Sequence, residues 1–138
     1  MDATKLRADY NTKACQVQEY QINISGLEDK IREIEAIKKD IKVLKEDAKD
    51  LKEKIQNELN KDHEYWKGDL FRTNKNKMKD SLIESGFNTY INKIDDNLDK
   101  LNTKQMQLEN EIHSTEGLIG SLKSGMNWLS TQIDNLFN

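Results

Sequence analysis

The feature that most constrains this chain is a step pattern in its second half. Phe87, Ile91, Ile94, Leu98, Leu101, Gln105, Leu108, Ile112, Thr115, Ile119, Leu122, Met126, Leu129, Ile133 and Leu136 follow one another by alternating steps of four and three. Only Gln105 and Thr115 in that series are polar. A β-strand repeats every two residues, so it cannot present this set on one side; an α-helix can, as the a/d seam of a coiled coil. About 50 residues at roughly 1.5 Å each give a rod of about 75 Å. The chain has no proline to interrupt such a rod.

The first half carries a related pattern. Leu27, Ile34, Ile41, Ala48 and Ile55 lie seven apart, and Ile37, Leu44 and Leu51 form a second row interleaved with them. We read these two rows as the a/d seam of a first helix. Leu6, Tyr10, Ala14, Val17 and Ile24 continue the stripe upstream less regularly. The remaining positions of 28–64 are densely charged. Glu28–Arg32, Glu35–Lys39 and Asp50–Lys54 have the favourable acid-first i,i+4 order, each contributing a few tenths of a kcal/mol on a solvated face.

Composition explains why one stripe per helix must suffice. Charged residues make up 34% of the 138 residues and hydrophobic ones 35%. An ordinary globular domain is about 45–50% apolar, so a thick two-layer core is excluded. Apolar spacing is lost between residues 60 and 80, around the midpoint of the chain. A reversal there lets the two stripes face each other. The expected fold is all-α: one elongated antiparallel two-helix hairpin over 1–138, coiled-coil-like. Arm one spans about 4–60, a turn region about 61–80 and arm two about 80–137. Residues 72–77, rich in Asn and Lys, read as turn or frayed helix start.

Little in the chain suggests catalysis. His63 and His113 are far apart, and Asp62 and Glu64 point to other helix faces than His63, so no metal site forms. Gly117, Gly120 and Gly125 lack phosphate-loop spacing and follow no strand. The lone Cys15 allows no internal disulfide; its place near the arm-one stripe suggests a buried or idle thiol. With 22 basic and 25 acidic residues the net charge is −3, which draws in neither nucleic acid nor an anionic membrane. The basic residues of 72–79 have no aromatic ladder beside them. We expect a non-enzyme without cofactor or metal, without stable membrane insertion, and without a Sec-type leader in residues 1–20.

Two features point towards a protein partner. Tyr65, Trp66, Lys67, Gly68, Asp69, Leu70 and Phe71 place an indole and a glycine at the expected reversal. Gly68 permits a positive φ, and Trp66 and Phe71 offer apolar area to plug the hairpin end. On arm two, Gly117, Ser121, Ser124 and Trp128 fall nearly opposite the seam at about 100° per residue. Small residues allow a close helix and Trp128 an anchor for it. Leu118, Leu136 and Phe137 widen the apolar sector. Together with Leu129 and Ile133 they make 117–137 the expected docking region.

The central Trp66-Lys67-Gly68 between two long heptad arms resembles the WXG superfamily of small helical hairpins, and most closely its longer YwqH-like members. That resemblance implies a role in type VII secretion of Gram-positive bacteria. It implies a targeting partner, or chaperone, for the helical N-terminal LXG domain of a secreted toxin, with a second small helical protein as a further partner. Phe71 and Asn74 stand where the fuller family pattern has a small residue and an aromatic one. No Tyr occurs beyond Tyr90, so a C-terminal export signal of the Tyr-x-x-x-acid type is missing. The implied setting is the cytoplasm before export, or co-secretion with the partner. The alternatives are a self-associating coiled-coil spacer and a secreted effector whose 117–137 stretch enters membranes.

Overall fold

A computed structural model describes residues 2–61 and 68–137, without the side chains of 69–71. Helix α1 runs Ala3–Asn60, α2 Asp69–Met78, and α3 Asn88–Phe137. A π-helical segment, Lys79–Phe87, joins α2 to α3. The fold is thus an all-α helical hairpin, with arm one where the heptads place it. The chain divides into two compact units. One is Met1–Ile34 with Lys104–Asn138, and the other is Glu35–Thr103.

Helix α1 starts where an N-cap acid stands. The Thr4 N–H donates to Asp2 Oδ1 at 3.0 Å, filling one of the four donors a helix start leaves unpaired. Its inward face is a single uninterrupted heptad frame. The a row holds Ala3, Tyr10, Val17, Ile24, Ile31, Lys38, Lys45, Lys52 and Leu59. The d row holds Leu6, Lys13, Tyr20, Leu27, Ile34, Ile41, Ala48 and Ile55. Every one of these is buried or half-buried.

The second row expected for arm one is therefore corrected. Ile37, Leu44 and Leu51 are exposed at 48, 51 and 51%, and occupy the g position beside the seam. Rows three and four residues away from a given heptad row are both its neighbours on a helix. The N-terminal part of α1 is apolar only in the row four on. Because α1 is continuous, that phase carries forward onto Lys38, Lys45 and Lys52.

In the Met1–Ile34 and Lys104–Asn138 unit, Leu27, Leu108 and Ile112 form a buried cluster, with Ile24, Ile31 and Ile34 packed against it. Arg7 lies over Phe137, and the Lys13 stem meets Gly125. Partner numbers fall along α3 as they rise along α1, so the pair is antiparallel. Thr115 is buried in the seam without penalty, because its Oγ1 donates to the Glu111 carbonyl at 2.8 Å.

In the Glu35–Thr103 unit the buried residues are Ala48 on α1, Ile83 in the π segment, and Ile91, Ile94 and Leu98 on α3. Lys45 crosses to an ion pair with Asp95, and its side chain is largely covered. Lysine can hold such a position because its methylene stem packs while the ammonium reaches the rim.

Residues 72–77 are helical, within α2, so the expected turn region 61–80 does not extend through them. The π segment explains how the seam survives the join. Ile83, Phe87 and Ile91 are spaced by two successive fours, which would drift around an α-helix. A π turn holds more residues than an α turn and offsets that drift. The Asn88 N–H donates to the Ile83 carbonyl, five residues back. Ile83 is only 2% exposed, the most enclosed large side chain among the described residues.

Candidate partner-binding surface

The expected turn motif is partly in view. Gly68 has φ 141° and ψ 177°, a region essentially reserved for glycine, and it directly precedes α2. The Arg72 N–H donates to its carbonyl at 3.1 Å. Trp66 lies outside the described residues, as does the side chain of Phe71. So does His63.

On α3 the frame sets a at Ile91, Leu98, Gln105, Ile112, Ile119, Met126 and Ile133, and d at Phe87, Ile94, Leu101, Leu108, Thr115, Leu122, Leu129 and Leu136. All are buried or half-buried except Leu136. Gly117 and Ser124 fall at f, opposite the seam, and both are exposed. Ser121 and Trp128 fall at c, one row towards the g flank, and are exposed as well.

Trp128 keeps 52% of its surface in solvent. It borders an open groove of about 540 Å³ with Asp9, Thr12, Lys13, Gln16, Gly125 and Leu129. Gly125 gives this groove its depth. A methyl group there would stand 3.3 Å from Lys13 Cε, so the glycine is where the lysine stem crosses α3. The indole thus sits at the edge of a trough whose walls are a carboxylate, a hydroxyl and an amide. That combination suits a partner offering an apolar side chain and hydrogen-bonding neighbours.

Two of the expected docking residues belong elsewhere. Leu129 is 5% exposed and forms part of the seam, and Ile133 is half-buried in the same row. The reason is the step pattern itself: both are seam positions, and α1 already covers the seam. Leu118, Leu136 and Phe137 are exposed and available. The Arg7 guanidinium stands 5.1 Å from the centroid of the Phe137 ring, a cation–π contact that ties the end of α3 to the start of α1.

Sequence reasoning missed the α1 wall of the groove. Asp9, Thr12 and Gln16 are polar residues without a motif, and only the register between the helices brings them to Trp128. It also misplaced Cys15, which is exposed on the side of α1 away from the seam. The charged faces pair at i,i+3: Arg32 with Asp29 rather than Glu28, Lys49 with Glu46 at 3.8 Å, and Lys61 with Glu58 at 3.0 Å. His113 is exposed, with Nδ1 3.8 Å from Glu116. Among the described residues, no three His, Cys, Asp or Glu gather to hold a metal ion, and no helix is long and apolar enough to cross a membrane.

No protein-family model matches the chain, and neither curated proteins nor solved structures supply a match.

Proposed function

We propose that this protein is a noncatalytic helical partner of a type VII secreted toxin. It binds the toxin's helical N-terminal domain, of the LXG kind, and helps present it to the export machinery. The observation that carries the reading is Trp128, a large amphipathic side chain left half-exposed beside a groove on a helix whose seam is already occupied. Trp is an expensive residue to leave in water and a frequent anchor in protein interfaces. Ser121 on the same row, and Gly117 and Ser124 on the next, let a partner helix approach the backbone. Leu118 and Phe137 add apolar area at the same end.

The mechanism is surface complementarity. Trp128 and its apolar neighbours contribute affinity, and the polar groove wall of Asp9, Thr12 and Gln16 selects what lies against it. Leu129 and Ile133 serve this role only indirectly, by holding α3 against α1.

The test is co-expression with the N-terminal domain of the toxin encoded beside this protein. Wild type gives a stable complex. Trp128→Asp abolishes it while the helical circular-dichroism spectrum stays unchanged. Leu129→Asp lowers the spectrum as well, because it strikes the seam. A complex that survives Trp128→Asp would remove the docking face proposed here.

A further inference from the structure

The Glu35–Thr103 unit has an apolar face of its own. Ile37, Leu44 and Leu51 repeat every seven residues along α1, each half-exposed. They occupy g positions. In an antiparallel pair the g rows of both helices fall on the same flank, so Tyr90 and Asn97 of α3 share theirs. Tyr90 is half-exposed too. The other flank is polar and carries the Lys45–Asp95 pair.

The rims of this face are charged with opposite signs. The next row out on α1 turns basic at Lys54; before that it holds Asp40 and Asp47, across from Lys93 and Lys100 in the matching α3 row. Asp40, Asp47, Lys93 and Lys100 are all exposed, and none is ion-paired within the chain among the described residues. The register that sets Lys45 beside Asp95 makes Asp47 level with Lys93 and Asp40 level with Lys100.

We propose that a second copy of this chain docks on this face, in a parallel two-fold dimer. A two-fold interface needs a patch that complements itself. An axis parallel to the helices keeps each level unchanged and sets α1 of one copy against α3 of the other. Asp40 then meets Lys100 of the second copy and Asp47 meets its Lys93, and both contacts occur twice. Between these rims the Ile37, Leu44 and Leu51 row of each copy lies over the Tyr90 and Asn97 row of the other. An axis across the helices would instead set α1 on α1, acid against acid and lysine against lysine. Apolar burial supplies the attraction and the rims choose the orientation. This inference does not rest on the toxin-partner reading, since it uses another unit and other residues.

Light scattering on the full chain tests it. Wild type is expected at the mass of two chains. Asp40→Lys/Asp47→Lys should fall to the mass of one chain with an unchanged helical spectrum, and so should Lys93→Asp/Lys100→Asp. Mixing those two variants should restore the two-chain mass, as should all four changes in one chain. Leu44→Asp should give single chains. Trp128→Asp should leave the dimer intact, which separates this result from failure of the toxin reading. A wild-type protein at one-chain mass would overturn the proposal. So would a dimer that survives Asp40→Lys/Asp47→Lys, because an α1-on-α1 pair is indifferent to that reversal.

Discussion

The two units share one heptad frame and fill it with different chemistry. In Met1–Ile34 with Lys104–Asn138, α1 offers Leu6, Val17 and Leu27 as buried seam residues, and α3 offers Leu108, Ile112, Ile119 and Leu129. In Glu35–Thr103 the same rows of α1 carry Lys38, Lys45 and Lys52, and Ala48 is the buried α1 residue there. The larger aliphatic side chains Ile37, Leu44 and Leu51 stand on the flank instead. The first unit uses its apolar residues to hold itself together. The second packs Ala48 and lysine stems of α1 with Ile83, Ile91, Ile94 and Leu98, and keeps Ile37, Leu44 and Leu51 facing outwards. Width of the apolar stripe, rather than its presence, separates a helix that only pairs from one that can also receive a third element.

The largest test of this contrast is truncation at each buried centre. Leu108→Ala should cost about 2–5 kcal/mol in urea unfolding, and Ile83→Ala a similar amount in the other unit. Amide exchange should report each loss mainly in the unit where it is made. Gly68→Ala should cost about 1–3 kcal/mol, because φ 141° is closed to a side chain; an unchanged melting curve would contradict the conformation of that residue. Lys52→Leu sharpens the comparison in the opposite direction. It gives the second unit a seam of the first kind and should stabilise it by about 1 kcal/mol. Arg7→Ala, which removes the cation from Phe137, should cost about 0.5–1 kcal/mol and fray only the chain ends.

Much of the fold can be read in the residues. The α3 seam is explicit, because its four–three alternation tolerates Gln105 and Thr115 without losing phase. The extent of α1 is equally plain from its apolar stripe, the loss of that stripe after Asn60 and the absence of proline. Its second seam row is not, since scoring for apolarity prefers Ile37, Leu44 and Leu51 to three lysines. Only continuity from Ala3 onwards decides the matter. Helix α2 was hidden because its Asn and Lys residues show no stripe of their own. Of the candidate surface, Gly117, Ser121, Ser124 and Trp128 were visible from periodicity. Asp9, Thr12 and Gln16 were not, because inter-helix register is a property of packing.

The π segment has a consequence for how this chain tolerates change in length. A π turn is an α-helix that has taken in a residue. Losing one solvent-facing residue there, such as Glu84 or Ser85, would let Lys79–Phe87 relax to ordinary α geometry, with α3 still presenting its seam to α1. The same deletion inside α3 would swing every later seam residue round by about 100°. Length variation in this chain is therefore cheapest within nine residues next to the reversal, which act as a reserve of slack for the seam.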